Sequence, residues 1–147
     1  MNAPAKKADK AAPFILGKRP ETIAGTIEFP LPDGTSAKLE CKFKYRTRKE
    51  FGVLWDEIAG ATLALATAQQ DTAKKEGEEA KFSFAGMFER GDAVNADNVL
   101  KYLAAWNEEF PALSKDTLIE LFDQAPAAPA ALWDGYRQLC TTGRLGN

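Results

Sequence analysis

From Thr22 to Thr47 the chain alternates between two kinds of side chain. Ile23, Gly25, Ile27, Phe29 and Leu31 are interleaved with Thr22, Ala24, Thr26, Glu28 and Pro30. After Pro32-Asp33-Gly34-Thr35, Ala37, Leu39, Cys41, Phe43 and Tyr45 are interleaved with Lys38, Glu40, Lys42, Lys44 and Arg46. A period of two places one set on each face of a strand. Pro32 is suited to entering a turn and Gly34 is free to take positive φ. The spacing therefore predicts an antiparallel β-hairpin over 22–47, with one apolar face and one wet, basic face. Such a hairpin is marginal in water by itself, so other elements must cover its apolar side.

Those other elements read as helices. Thr47-Arg48-Lys49-Glu50 has the form of a capping box, and behind it Phe51, Leu54, Trp55, Ile58, Thr62 and Leu65 share one helical face. This predicts a helix within about 48–70 or beyond, followed by a charged loop or fraying end from Lys74 to Glu79. Asn95 can cap a helix within 95–108 whose face is Val99, Leu100, Leu103 and Trp106, with Pro111 beyond its end. Ser114 can cap a third within 114–124, with Asp116 opposing the helix dipole and Leu118, Leu121 and Phe122 on its inner side. Pro126 and Pro129 pre-set a fourth within 127–142, carrying Leu132, Trp133, Tyr136, Leu139 and Cys140 and stopping at Gly143. The expected class is α+β, the N-terminal antiparallel β-hairpin packed against a bundle of about four helices. Trp55, Trp106 and Trp133 each fall on an apolar stripe and are expected in the core. Residues 1–21, rich in Ala, Lys and Pro, are expected to be a disordered basic tail, and 22–147 a single domain.

A length of 147 residues suits one domain. Composition then removes whole classes of chemistry. The chain has no histidine, which excludes a Ser-His-Asp triad, a Cys-His dyad and any His-ligated zinc. Cys41 and Cys140 are too few for a thiolate cluster and read as reduced thiols. The acidic pairs Asp56-Glu57, Glu78-Glu79 and Glu108-Glu109 are sequence neighbours, which diverge by about 100° on a helix and do not face each other. Ser114-Lys115 lacks the companions of a serine–lysine dyad, and no glycine-rich phosphate loop is present. No enzyme activity, metal or cofactor is expected. The weakly polar run Ile58–Ala68 is far shorter than the roughly 20 apolar residues a membrane span needs, so no membrane role is expected.

Charge is unevenly distributed. Residues 1–49 hold 11 basic and 5 acidic side chains, whereas 50–147 hold 8 basic and 16 acidic. Lys42, Lys44 and Arg46 share the wet face of the second strand, while Phe43 and Tyr45 point the other way. Bases would find no ring to stack on beside those charges, so nucleic acid is not an expected partner on this reading. Residues 81–91 fit neither period: Phe82 and Phe84 suit a strand, whereas Phe84, Met87 and Phe88 suit a helix. Core packing and an exposed partner surface both stay open for Phe82, Phe84, Met87 and Phe88.

The order of these elements resembles a known family. A basic tail and a hairpin ending in Phe43-Lys44-Tyr45-Arg46 lead into Arg48-Lys49-Glu50-Phe51 and Trp55. Val99-Leu100-Lys101-Tyr102-Leu103-Ala104-Ala105-Trp106 is followed by Pro111-Ala112-Leu113-Ser114-Lys115-Asp116-Thr117-Leu118, then Leu121-Phe122, Pro126, Trp133 and Tyr136. Over about residues 22–142 this resembles the tail assembly chaperones of long-tailed bacteriophages. The resemblance implies a non-enzymatic protein of the bacterial host cytoplasm. It would bind the tape measure protein and hold it soluble until tail tube subunits polymerise around it, and be absent from the mature virion. The tail tube protein is a candidate second partner. A structural tail or head–tail subunit, or a small nucleic-acid-binding regulator, is the competing expectation. On the chaperone reading Phe82, Phe84, Met87 and Phe88 form the partner-binding surface, with Lys42, Lys44 and Arg46 steering acidic segments. Many such chaperones also have a longer frameshifted form. Leu145-Gly146-Asn147 is compatible with the slippery codons G-GGA-AAY, and a Gly146 codon other than GGA would end that expectation.

Overall fold

The computed structural model of the chain describes residues 13–76 and 82–145. The expectations for residues 1–12, for Glu78 and Glu79, and for Gly146 and Asn147 lie outside the described residues.

Strand β1 (Thr22–Pro30) and strand β2 (Ser36–Lys44) pair antiparallel in register Thr22 to Lys44 through Pro30 to Ser36. Gly34 takes φ 90° in the turn, as its position requires. The alternation in sequence becomes alternation in burial: Ile27, Phe29, Leu39, Cys41 and Phe43 are buried, and Lys38, Glu40, Lys42 and Lys44 are exposed. The Thr47 amide donates to Glu50 Oε1 at 2.9 Å while the Glu50 amide donates to Thr47 Oγ1 at 3.2 Å, the reciprocal pair of a capping box. Helix α1 (Arg48–Glu76) starts there.

Helix α2 (Phe84–Leu100) settles the ambiguous stretch and corrects one boundary. It begins at Ser83, whose Oγ accepts from the Gly86 amide at 3.1 Å, so Asn95 sits in mid-helix and is not a cap. The helix expected over 95–108 ends at Leu100. Leu103–Ala105 is instead a short strand, β3, added to β2 to give the sheet order β1-β2-β3. A turn at Lys101 and Tyr102 makes the change, and the Lys44 amide then donates to the Tyr102 carbonyl at 2.8 Å. Pairing with β2 overrides a local pattern that fits a helix equally well.

Helix α3 (Lys115–Gln124) opens on Ser114 with a capping box to Thr117. Helix α4 (Ala128–Thr142) carries Pro129 in its first turn and ends at Gly143 with φ 82°. The fold is α+β: among the described residues, a three-stranded antiparallel sheet, opened by the N-terminal hairpin, and four helices. Leu118 and Phe122 of α3 and Leu132 and Tyr136 of α4 join the hairpin's inner face with Phe51 and Leu54 of α1 in one core. Helix α4 lies close over β1. A Cβ at Gly135 would come within 2.2 Å of Ile27 Cδ1, so this helix–sheet approach depends on glycine. Residues 13–20 carry no regular secondary structure, and Arg19 ties them to the body through an ion pair with Glu50 and a position 5.0 Å above the Tyr45 ring.

Candidate partner-binding groove

The centre of the molecule is a stack of rings. Tyr102 and Tyr136 lie nearly parallel at 4.7 Å, and Phe43 meets Tyr136 at 5.4 Å. Phe51 adds Trp133 at 5.2 Å and Tyr136 at 5.6 Å. Each element contributes because its apolar period aims one aromatic inward: Phe43 from β2, Phe51 from α1, Tyr136 from α4. Tyr102 is brought in by the turn that starts β3. The stack surfaces on one side, where Trp55 and Trp133 meet edge to face at 5.7 Å. Trp55 is 47% exposed, so it is not the core residue its stripe suggested; Trp106 and Trp133 are half-buried.

Trp55 and Trp133 open into a groove of about 480 Å³. Trp55, Ile58, Ala59 and Thr62 of α1 form one wall, Asn95, Asn98 and Val99 of α2 the other, and Pro126, Pro129, Ala130 and Trp133 close one end. Among the described residues no charged side chain lines it. Helical geometry carries both walls further. Phe84, Phe88, Gly91, Asn95 and Asn98 follow spacings of four and three residues and lie on one stripe of α2. Trp55, Ala59, Thr62 and Ala66 do the same on α1. The outer parts of both stripes are exposed: Phe84 by 66%, Phe88 by 62%, with Ala59, Thr62 and Ala66 also open.

The cluster singled out in the sequence is therefore at the surface. Phe82 packs edge to face on Phe84 at 4.7 Å, and Met87 is 40% exposed beside them. Sequence reasoning missed the groove itself. Asn95 read as a cap and Asn98 carried no signal, although the spacing that joins them to Phe84 and Phe88 was present.

The basic residues do not join this surface as a group. Lys42 is exposed and shares a depression with Glu40, Glu108 and Glu109. Lys44 and Arg46 share another with Arg19, Tyr45, Glu50 and Glu57. Lys44 Nζ donates to the Leu100 carbonyl at 3.3 Å, and half-buried Arg46 donates from Nη1 to Tyr136 Oη at 3.1 Å. Neither depression includes residues 82–88.

Titration shifts here follow burial. Cys41 is pushed up to about 12 and Cys140 is raised, which keeps both as thiols. Burial also raises Tyr102 and lifts Tyr136 to about 12. The groove thus offers apolar and aromatic contact rimmed by asparagine amides, a surface for a partner's side chains.

A model of the phage tail assembly chaperone family matches residues 11–147. The chain belongs to that family. No curated protein and no solved structure matches it. As a phage tail assembly chaperone it works on protein partners in tail assembly, and an uncharged aromatic groove is a surface suited to that task. Among the described residues no helix is long and apolar enough to cross a membrane.

Proposed function

We propose that this chaperone binds the tape measure protein and holds it soluble until tail tube subunits polymerise around it. It would act without turnover in the cytoplasm of the bacterial host and be absent from the mature virion. A tape measure is a long amphipathic rod, and its exposed apolar stripes would aggregate unless covered. The observation that supports this reading is the groove between α1 and α2, with exposed Phe84 and Phe88 on the same stripe of α2 as its wall residues Asn95 and Asn98. Anchors three and four residues apart on a client helix would enter it at Trp55 and Trp133, while Phe82, Phe84, Met87 and Phe88 cover the next turns. Lys42 and Lys44 would steer acidic client segments, with Arg46 held back by Tyr136. Each contact should be modest, since assembly must strip the chaperone away; many sites along one rod supply the holding by avidity.

The test is co-purification of the tape measure with the double variant Phe84→Asp, Phe88→Asp. Both side chains are exposed, so circular dichroism should be unchanged while binding is lost. Binding that persists moves the client surface elsewhere. Mass spectrometry of purified virions checks the release step: the chain found there in stoichiometric amounts would make it a structural subunit.

A further inference from the structure

The two edges of the sheet are treated differently. Hydrogen bonds at the hairpin's ends, from the Leu31 amide to Thr35 O at 2.8 Å and from the Tyr45 amide to Glu21 O at 2.9 Å, fix which residues of each strand face the other. In an antiparallel ladder these alternate, so odd-numbered residues of β1 bond to β2 and even-numbered ones turn their N–H and C=O outward. On β2 the outward groups at the β3 end have partners, while those of Ser36 and Lys38 lie beyond the reach of β3. Lys42 pairs with Ala105, the Lys44 amide donates to Tyr102 O, and the Glu40 amide donates to Asn107 Oδ1 at 2.7 Å. On β1 the outward groups belong to Thr22, Ala24, Thr26 and Glu28, and no backbone group of a described residue bonds to them. A depression of about 560 Å³ lies beside this stretch, lined by Thr26, Ile27 and Glu28 on one side and Ala131, Gly135, Gln138 and Leu145 on the other.

We propose that β1 pairs antiparallel with β1 of a second copy of this chain across a two-fold axis at Gly25, joining two sheets into one. The occupant follows from the strand's self-complementarity. Residues Pro20 and Pro30 have no N–H and continue the even-numbered, outward set at either end. Pairing centred on Gly25 sets Thr22 against Glu28 of the partner subunit and Ala24 against Thr26 of the partner subunit, so every outward amide finds a carbonyl. The prolines then fall opposite each other just outside the ladder. A register shifted by two residues puts a proline inside it and forfeits a bond. No like charges oppose one another, since Glu28 is the lone charge on β1. Gly25, whose missing side chain already makes room for Leu139 and Leu145, lies where two antiparallel backbones come closest. The edge also lacks the lysines and bulges that usually blunt one. Such a dimer would present two grooves to one rod-like client.

The experiment is light scattering and sedimentation of the full chain over a concentration series. A dimer is expected, and Thr26→Pro should weaken it at least about tenfold, because that amide faces outward and its loss costs no bond to β2. The double variant Ala24→Lys, Thr26→Lys keeps the test sound if the proline disturbs the fold; it sets lysines against each other across the axis and should have the same effect. Mixing an Ala24→Cys chain with a Thr26→Cys chain should give an oxidised dimer that neither forms alone at a comparable rate. A monomer at every concentration, or a dimer indifferent to both edge variants, overturns the proposal. Equal cross-linking of each cysteine variant alone overturns the register.

Discussion

Tyr136 donates its hydroxyl to the Lys44 carbonyl at 2.8 Å and accepts from Arg46 Nη1 at 3.1 Å. One buried phenol from the last helix thereby closes the end of β2, 92 residues earlier in the chain. Its ring is also the hub of the aromatic stack, against Phe43, Phe51 and Tyr102. Tyr136→Phe keeps the rings and removes the oxygen. It leaves a strand carbonyl and a half-buried guanidinium short of a partner, which should cost about 1–3 kcal/mol. Urea denaturation should show a lower midpoint with an unchanged slope.

Much of this arrangement is legible in the sequence, for reasons that differ from element to element. The hairpin is legible because each strand buries one face only, and Ile27, Phe29, Leu39 and Phe43 record that in their period. The starts of α1 and α3 are legible because Thr47 and Ser114 act on amides three residues away. Strand β3 is not: Val99, Leu100, Leu103 and Trp106 satisfy a helical period, and only the register with Lys42 and Phe43 makes Leu103–Ala105 extended. Helix α2 hides its start because Ser83 is followed by Phe84-Ala85-Gly86, without the acidic third residue that advertises a capping box. The groove is illegible as a unit because its walls come from stretches far apart in the chain. Half-exposed Trp55 obeys the same period as the buried residues beside it.

The approach of α4 to β1 should behave as a lock between Gly135 and Ile27. Gly135→Ala gains helix propensity but drives a methyl to within 2.2 Å of Ile27 Cδ1. Ile27 is buried, so the displaced methyl meets other core atoms and the overpacking should win, for a net loss of about 1–3 kcal/mol. Ile27→Val deletes the offending atom and leaves Cγ1 at an ordinary 3.5 Å. The combined variant should therefore be more stable than the two single losses predict, a coupling that a double-mutant cycle measures directly.

Alkali should unfold the protein earlier than a chain with exposed tyrosines and thiols. Burial lifts Cys41 from its ordinary 9.0 to about 12 and Tyr136 from 10.0 to about 12. The neutral forms are favoured in the folded state. Their contribution is complete below the unfolded-state values and is lost as pH rises from about 9 towards about 12. Stability measured by urea at stepped pH should fall through that window. Tyr136→Phe removes one of the titrating groups and should make the decline shallower, even though the variant starts lower.

The groove offers a way to separate client binding from the exposed phenylalanines. Thr62 stands on the groove wall of α1, exposed, with its hydroxyl donating to Ile58 O at 2.9 Å in its own helix. Thr62→Arg places a long cation in a channel lined by Trp55, Trp133 and uncharged neighbours. An apolar client anchor would then have to displace a charge that Asn95 and Asn98 cannot neutralise. Arginine is a better helix former than threonine, so α1 should be at least as stable as before. Circular dichroism and the urea midpoint should hold, while affinity for a helical client peptide falls at least about tenfold. Because Thr62 is far in sequence from residues 82–88, matching losses from Thr62→Arg and from Phe84→Asp with Phe88→Asp would place one client helix along both walls. Loss from the phenylalanine pair alone would confine the client to the outer half of α2.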